Sequence, residues 1–342
     1  MAAAPVFLEH PSSLEHDTGM HPEQAARITA IERELSERGW LGYERLESEP
    51  VERSVLAAVH PERYIATIET AASMGGAQLD PDTAVSEGSF VAALHSAGGA
   101  VQLVELLLDG ATPFGFSCHR PPGHHALPTR AMGFCLFNNL AVAAQHALSA
   151  RSLERVLVFD WDVHHGNGTN DIFHSSSSVL YVSIHEWPLY PGTGAAQDAG
   201  SGDGIGYTVN LPVPPGSGDD LYRSLVDHVV VPLGREFEPQ LVLVSAGFDA
   251  HRDDPLADCS VTEAGFGAMA ASISRLGQEV GARIGAVLEG GYALGPLARS
   301  VAATLQAFGP AVESPADDAV DVAPLARDAQ VRLARWWPAL AG

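Results

Sequence analysis

Short apolar runs alternate along the chain with longer segments in which apolar residues recur at helical spacing. The apolar runs predict buried strands at Pro5–Leu8, Phe114–Cys118, Val156–Phe159, Val179–His185, Tyr207–Leu211, Leu241–Ser245 and Ile284–Leu288. The periodic segments predict helices over Gln24–Gly39, Pro50–Val59, Arg63–Met74, Phe90–Leu108, Asp219–Phe237 and Thr262–Gly281, with another running from Asn139 to about Ala150. Strands that alternate with helices indicate an α/β fold with a mainly parallel central sheet and helices on both faces.

Two details refine this pattern. Pro232 lies inside the helix predicted over Asp219–Phe237 and is expected to bend it. The segment Gly75–Gly88 is rich in acidic and turn residues and is predicted to be a loop. The chain shows no internal repeat and no clear linker, so we predict one domain over residues 1–310. Residues 311–342, rich in Pro, Asp and Ala, are expected to form a peripheral segment.

The most informative stretch begins at the strand predicted over Val156–Phe159. Asp160, Asp162 and His164 follow it directly, and their spacing of two places them on one side as the strand leaves the sheet. Two carboxylates and an imidazole are costly to crowd together without a cation, and they suit a divalent metal. A solvated acidic turn is the alternative interpretation of the same residues.

Other polar motifs also follow predicted strands. They contribute a tandem pair, His124-His125, an acidic segment that ends in Asp254 before a proline, and Tyr292 after two glycines. In open α/β sheets ligands bind at the carboxyl ends of the strands. We therefore expect these motifs to meet at one edge of the sheet.

Composition and charge narrow the class of protein. Hydrophobic residues make up 46% of the 342 residues and charged residues 18%, which is enough for a large core. The net charge is −23, and all 19 basic residues are arginine. An acidic surface would attract cationic substrates and repel nucleic acid. A solubility or high-salt adaptation, or a coding bias towards Arg and Ala, explains the charge more simply.

The chain carries no sequence signal for a membrane or for secretion. It has no run of 18 consecutive apolar residues, and its N-terminus lacks the basic and apolar regions of a secretory signal. The three cysteines, Cys118, Cys135 and Cys259, have no CxxC spacing and favour reduced thiols. A cytoplasmic location is therefore expected.

Four motifs together resemble the zinc-dependent histone deacetylase family, closest to class II enzymes and their bacterial amidohydrolase relatives. They are RPPGHHA from Arg120, DWDVHHGNGT from Asp160, SAGFDAHRDDPL from Ser245 and LEGGY from Leu288. The likeness extends from His16 to Tyr292. It implies a single-domain fold of the arginase and deacetylase type, and an amidohydrolase that removes acetyl or other acyl groups from acetylated lysine.

The resemblance also implies roles for individual residues. Asp162, His164 and Asp254 would bind one catalytic zinc ion per chain. His125 would be the general base and acid with His124 as its electrostatic partner, and Tyr292 would stabilise the oxyanion. Asp160 would accept a hydrogen bond from His124, and Asn167 would face His125, where class I relatives carry an aspartate.

Further positions align with the substrate channel and with potassium sites of the family. Gly133, Phe134 and Tyr190 would line the acyl-lysine tunnel, Asp82 would grip the substrate backbone at the rim, and Arg27 would line an inner cavity for acetate release. One or two structural potassium ions would be held by an inner set, Asp160, Asp162, His164, Ser183 and Ile184, and an outer set, Phe173, Ser176, Val179 and Tyr207.

Three alternatives remain open at this point. The substrate could be an acetylpolyamine or another small acyl-amine, which would suit the acidic surface. A non-catalytic module that binds acyl-lysine would be expected to lose a metal ligand or Tyr292, and neither is lost. An arginase-like enzyme with two manganese ions would share the fold but not the RPPGHHA and LEGGY motifs. The expected partners are acetylated proteins or small acyl-amines; a homo-oligomer is compatible with them, and neither nucleic acid nor a membrane is expected.

Overall fold

A computed structural model describes residues 3–309 and 320–341. The strands are β1 Val6–Glu9, β2 Glu44–Glu47, β3 Ala77–Asp80, β4 Thr83–Val85, β5 Phe114–Ser117, β6 Val156–Asp160, β7 Val179–Glu186, β8 Thr208–Val213, β9 Leu241–Ala246 and β10 Arg283–Leu288. The helices are α1 Ala26–Glu37, α2 Arg53–Leu56, α3 Glu62–Ser73, α4 Ser89–Leu108, α5 Asn139–Ala150, α6 Asn167–Phe173, α7 Asp219–Leu225, α8 Val231–Phe237, α9 Glu263–Val280, α10 Leu294–Phe308 and α11 Pro324–Leu333.

The main sheet has eight strands in the order β2-β1-β5-β10-β9-β6-β7-β8, and every pairing in it is parallel. Both of its faces are covered, because alternate residues of one strand enter different cores. Leu157 and Phe159 of β6 pack in a cluster with α9 and α10, whereas Val156 and Val158 pack in a second cluster with α4 and α5. The predicted α/β architecture with helices on both faces is confirmed.

The order of the strands brings the polar motifs together. β5, β10, β9 and β6 are consecutive in the middle of the sheet, and each leads at its carboxyl end into one of the four motifs. The register aligns Asp160 at the end of β6 with Ser183 of β7 and Ser245 of β9. The motifs therefore leave the sheet side by side at one edge.

Some predicted elements differ in the structure. The helix expected over Pro50–Val59 is limited to Arg53–Leu56, and the loop expected over Gly75–Gly88 contains the antiparallel hairpin β3–β4. The helix expected over Asp219–Phe237 is interrupted by a π-helical turn at Val226–Val230, which ends two residues before Pro232. A proline has no backbone N–H and its ring crowds the carbonyl four residues earlier, so the regular helix breaks there.

The segment after residue 319 packs on the main body. Ala326, Ala329 and Leu333 of α11 join the larger core cluster, and Trp337 Nε1 donates a hydrogen bond of 2.8 Å to the Gly206 carbonyl. The division at residue 310 falls on residues outside the described ranges and stays a prediction. Helix α4 is long and apolar enough to be a candidate membrane span by length and composition, but 61% of its most apolar window is buried in this fold.

Candidate active site

A cavity of about 220 Å³ opens at the carboxyl edge of the sheet. The side chains and backbone around it come from several separate loops and include most of the predicted catalytic and channel positions. Its lining residues are Asp82, His125, Gly133, Phe134, His164, Leu189, Tyr190, Leu256 and Tyr292.

The floor of this cavity adjoins a cluster of Asp162, His164 and Asp249, whose potential ligand atoms all lie within 4.8 Å of one another. His164 Nδ1 lies 3.2 Å from Asp162 Oδ1 and 3.1 Å from Asp249 Oδ2. Both carboxylates are fully buried. Two carboxylates and one imidazole form the donor set of a catalytic zinc site that leaves a position open for water or substrate.

The two buried carboxylates of the cluster favour a positive charge between them. Burial acts to lower the pKa of His164, but its hydrogen bonds to Asp162 and Asp249 outweigh burial and raise the pKa to about 10. Burial and the neighbouring Asp162 charge raise the pKa of Asp249. A divalent ion would relieve this repulsion between buried carboxylates, so the residues fit a metal.

Glycines allow the two carboxylates to approach so closely. A Cβ atom on Gly290 would lie 2.0 Å from Asp249 Oδ2 and 2.6 Å from Asp162 Oδ2. The Gly290 N–H donates to Asp162 Oδ2 at 2.8 Å, and the Val163 N–H donates to Asp249 Oδ1 at 2.9 Å. Gly290 is thus required by the two carboxylates that it contacts.

Asp254, the third ligand expected from the sequence, is not in this cluster. Its Oδ2 accepts hydrogen bonds from the N–H groups of Tyr292 at 2.6 Å and Ala293 at 3.2 Å, and its Oδ1 accepts from Leu256 N–H at 3.0 Å. Burial and the charge of Asp249 raise its pKa to about 7. In the structure Asp249 lies beside Asp162 and His164, and Asp254 anchors the backbone that carries Tyr292. The assignment of Asp254 as the third ligand stays a prediction.

The tandem histidines lie beside the cluster with their ring centroids 4.0 Å apart. His124 Nδ1 is 3.1 Å from Asp160 Oδ2, and Asp160 also accepts a hydrogen bond of 3.2 Å from the Tyr181 hydroxyl. His125 Nδ1 is 2.8 Å from the side-chain oxygen of Asn167. These are the two pairings that the resemblance implied.

The two rings are driven to opposite charge states. Burial opposes the charged form of His124, but the Asp162 and Asp160 carboxylates outweigh it and raise the pKa of His124 well above its usual value. Burial and the positive charges on His124 and His164 lower the pKa of His125 well below its usual value. One imidazolium therefore lies next to one neutral imidazole, which is the arrangement that a base needs.

Tyr292 forms part of the cavity wall and is held from behind by Arg27. The Arg27 guanidinium lies 5.0 Å from the centroid of the Tyr292 ring, and its Nε donates a hydrogen bond of 2.7 Å to the Gly291 carbonyl. Burial keeps the pKa of Tyr292 well above its usual value, although Arg27 acts to lower it. The phenol stays protonated and can donate a hydrogen bond into the cavity.

The rim residues meet the cavity as the resemblance implied. The Phe134 ring lies edge-on to Tyr292 at 5.6 Å, and the Tyr190 ring lies edge-on to His125 at 5.1 Å. Gly133 has a φ of +55°, and a Cβ there would lie 2.4 Å from the His125 ring, so only glycine fits without displacement. Its N–H donates to Asp82 Oδ1 at 3.3 Å, which connects the rim to the hairpin β3–β4.

Comparison with protein families identifies the family to which this chain belongs. The model of the histone deacetylase domain matches residues 21–308 of the chain. The chain belongs to the histone deacetylase family. Proteins of this family are deacetylases or amidohydrolases, that is, hydrolases, and the family is zinc-dependent in general.

Individual relatives of this deacetylase-family chain show the same likeness. It is 39% identical over 290 residues to a probable deacetylase of Archaeoglobus fulgidus, which covers 83% of this chain and 80% of the relative. It is 39% identical over 321 residues to the chloroplastic histone deacetylase 14 of Arabidopsis thaliana, with 88% and 76% covered. The crystal structure of the HDA15 HD domain superimposes with a TM-score of 0.92 at 36% identity, over 100% of this chain and 97% of that one.

The predicted potassium ligands occupy two places near the site. The inner set lies at the ends of the adjacent strands β6 and β7, where Asp160 pairs with Ser183, and the Ser183 hydroxyl is 2.9 Å from His185 Nδ1. In the outer set, the Ser176 N–H donates to the Phe173 carbonyl at 2.9 Å and the Tyr207 carbonyl accepts from Tyr181 N–H at 2.9 Å. Each carbonyl oxygen keeps a second lone pair.

Several site residues of this deacetylase domain were missed in the sequence. Asp249 stands in the quoted SAGFDAHRDDPL motif, but nothing in the sequence marked it as a neighbour of Asp162 and His164. Leu256 lines the cavity, and the His21 ring packs edge-on to Phe134 at 4.5 Å. Glu289, a fully buried carboxylate next to the tandem histidines, had no distinguishing signal except its place before the glycine pair.

Proposed function

We propose that this chain is a zinc-dependent deacetylase that hydrolyses the amide bond of acetylated lysine side chains. The observation that carries the proposal is the joint placement of the cluster of Asp162, His164 and Asp249, the ring of His125 and the side chain of Tyr292 around one small cavity. These are the groups that hydrolysis of an unactivated amide needs: an activated water, a base and an oxyanion donor.

From the geometry, one zinc ion per chain would be held by Asp162, His164 and Asp249. The family resemblance implies Asp254 as the third ligand in place of Asp249, and the zinc affinities of single variants decide between the two. Bound there, Zn²⁺ supplies a Lewis acid that acidifies water and polarises an amide carbonyl. The aromatic walls of Phe134 and Tyr190 suit the four-carbon stem of lysine by apolar burial.

The residues of the chain then perform the proton transfers. His125 takes the proton of the attacking water while a C–O bond forms at the amide carbon. Tyr292 donates a hydrogen bond to the carbonyl oxygen as negative charge develops on it. His125 then returns the proton to the leaving nitrogen as the C–N bond breaks, so that acetate and a free amine are produced. His124 keeps its own proton and favours the neutral state of His125.

The remaining site assignments are part of the same proposal. Asp82 would accept hydrogen bonds from the substrate backbone at the rim, and Arg27 would line the path by which acetate leaves. One or two potassium ions would stabilise the loops behind the cluster. A cytoplasmic location stays a prediction.

An acetylpolyamine is the second candidate substrate, because Asp82 places a carboxylate on the cavity wall and the net charge is −23. Leu256, at the same cavity, is apolar and offers no charge to a second ammonium group. The observations therefore favour the lysine substrate, although both use the same chemistry.

Kinetics on the zinc-loaded protein test the proposal directly. An acetyl-lysine peptide would be compared with N-acetylputrescine and N-acetylspermidine, with Tyr292→Phe as the control variant. The peptide should have the higher kcat/KM, and the variant should lose roughly 10²- to 10³-fold in kcat. Because the chain contains no lysine, it cannot present an acetyl-lysine of its own that would compete in the assay.

Each other outcome has a defined meaning. A higher kcat/KM for the polyamines would keep the reaction and replace the substrate. If the protein binds one zinc ion per chain and hydrolyses none of the three amides, the proposed deacetylase function is wrong.

A further inference from the structure

The side chain of Glu289 contacts the turn that carries His124 and His125, and its backbone belongs to the turn that carries Tyr292. Glu289 is fully buried, and its Oε2 accepts hydrogen bonds from the N–H groups of Gly123 at 2.7 Å and His124 at 3.0 Å. Its other oxygen, Oε1, has no hydrogen-bond partner among the described residues. Glu289 is not a member of the metal-binding cluster.

The backbone of Glu289 belongs to the turn that carries Tyr292. Its N–H donates to the Ala246 carbonyl at the end of β9 at 3.0 Å, and its carbonyl accepts a hydrogen bond from Arg27. Three residues later Tyr292 enters the cavity wall. The main chain of Glu289 is therefore fixed relative to Tyr292, and its side chain is fixed relative to the histidine pair.

A structural role alone explains this residue poorly. Burial raises the pKa of Glu289 to about 7, because the charged form loses its solvation and keeps only two backbone N–H partners. A neutral side chain could satisfy two backbone N–H groups at a lower cost. A carboxylate that accepts both bonds holds the backbone more tightly than a neutral acceptor would.

We propose that Glu289 is a positioning residue that ties the turn bearing His124 and His125 to the turn bearing Tyr292. It sets the separation between the base and the oxyanion donor across the cavity. This inference rests on the proposed deacetylase function and adds to it a residue outside the metal cluster and the substrate-lining set.

Two substitutions separate the acceptor from the charge. Glu289→Gln keeps an oxygen that can accept from both N–H groups, whereas Glu289→Leu has the bulk but no acceptor. A displacement of the base by about 1 Å can cost roughly 10²-fold in rate, so Glu289→Leu should lose about that factor in kcat. Its KM should change by less than about threefold, because the aromatic walls of Phe134 and Tyr190, which would bury the substrate stem, are not hydrogen-bonded to Glu289. Glu289→Gln should lose about tenfold or less, since a charged hydrogen bond becomes a neutral one.

A second readout does not depend on activity. In the ¹H–¹⁵N spectrum the Gly123 amide proton should resonate downfield in the wild type, move upfield in Glu289→Gln and move further in Glu289→Leu. Zinc should stay at one ion per chain in all three proteins. Val287→Ala, a buried change in β10 two residues away, is the matched control for lost stability and should keep the wild-type kcat.

The inference is overturned if Glu289→Leu keeps kcat within about threefold, or loses no more than Val287→Ala at a similar fall in Tm. It is also overturned if the Gly123 amide shift is the same in all variants. If the wild type hydrolyses no amide, the proposed function fails, and the amide shift still decides whether Glu289 holds the histidine turn.

Discussion

The Nδ1 atom of His125 lies 2.8 Å from the side-chain oxygen of Asn167, whose amide nitrogen lies 3.5 Å from the His125 carbonyl. Because an amide oxygen can only accept, Nδ1 carries the ring proton and Nε2 keeps the lone pair of a base. His124 faces the carboxylate of Asp160 instead, at 3.1 Å. An amide on one ring and a carboxylate on the other thus give two adjacent histidines different charges.

Asn167→Asp should raise the pKa of His125, because it places a negative charge beside a ring whose pKa is lowered by burial and by two neighbouring cations. The base would then be protonated at a higher pH. In the profile of log(kcat/KM) against pH, we expect the acidic limb to move to higher pH by roughly one pH unit or more.

The matched control is Asn167→Ala, which removes the acceptor without adding charge. It should lower kcat while leaving the acidic limb at or below its wild-type position. An unchanged limb in Asn167→Asp would show that His125 is not the group that titrates in the rate.

Asp249→Asn and Asp254→Asn should separate metal binding from backbone support. Asp249 lies in the cluster with Asp162 and His164, and if it binds zinc its replacement should weaken zinc binding by more than the 10- to 100-fold typical of changes to residues that only support a ligand. Asp254→Asn should keep zinc within about tenfold, but it should lower kcat by about 10- to 100-fold because it loosens the turn that carries Tyr292.

The measurement is zinc affinity by competition with a fluorescent chelator, with stoichiometry from elemental analysis. Loss of zinc in Asp254→Asn with retention in Asp249→Asn would make Asp254 the third ligand, as the family resemblance implies.

Gly290→Ala should damage the metal cluster from the backbone side. The added Cβ would lie 2.0 Å from Asp249 Oδ2 and 2.6 Å from Asp162 Oδ2, which is closer than atoms can approach, so at least one carboxylate must move. We expect weaker zinc binding and a lower Tm.

Gly267→Ala, where a Cβ would find its nearest neighbour at 3.5 Å, is the control for a glycine-to-alanine exchange. It lies inside helix α9 and should keep zinc binding and gain up to about 1 kcal/mol of stability. If Gly290→Ala kept the zinc affinity of the wild type, Asp162 and Asp249 could not lie as close to Gly290 as the structure shows.

The free energy of unfolding should decrease as the pH falls from about 6.5 to about 4, the interval between the unfolded and folded pKa values of the buried His60. His60 Nε2 accepts a hydrogen bond of 2.8 Å from Asn138 N–H, so Nδ1 carries the proton towards the Pro128 carbonyl at 3.1 Å. Burial lowers its pKa from 6.5 to about 4. Between these values the unfolded chain binds more protons than the folded protein, so the free energy of unfolding decreases as pH decreases.

The comparison is urea unfolding at pH 7 and pH 4.5. The decrease in unfolding free energy should be smaller in His60→Gln than in the wild type by roughly 2 to 3 kcal/mol. Leu56→Ala, one turn earlier, should lower stability equally at both pH values. Equal decreases in His60→Gln and the wild type would show that His60 does not titrate during unfolding.

Local patterns in the sequence were sufficient for much of the fold. Strands β5, β6, β7, β9 and β10 are short apolar runs, and being buried on both faces gives them a clear signal. Thr262 and Gly281 also marked the ends of helix α9: Thr262 caps its start, and Gly281 ends it with a φ of +73°. β2 was missed because it is a mostly exposed edge strand of charged residues.

Part of the candidate site could also be predicted from the sequence. Asp160, Asp162 and His164 are spaced along one strand end, so the period of two residues determined their common side from the sequence alone. The pairings of His124 with Asp160 and of His125 with Asn167 followed from the family motifs and agree with the geometry.

Only the tertiary structure showed that Asp249 lies beside Asp162 and His164 while Asp254 accepts hydrogen bonds from the turn of Tyr292, and only it revealed the place of Glu289. Both aspartates lie in one loop after β9, and their roles depend on how that loop meets the turn from β10, which is far away in the sequence. The sequence by itself determined which chemical groups reach the edge of the sheet. Which carboxylates lie together in the cluster and which hold the backbone depends on contacts between separate loops, because hydrogen bonds and burial, not spacing along the chain, set the direction of each side chain.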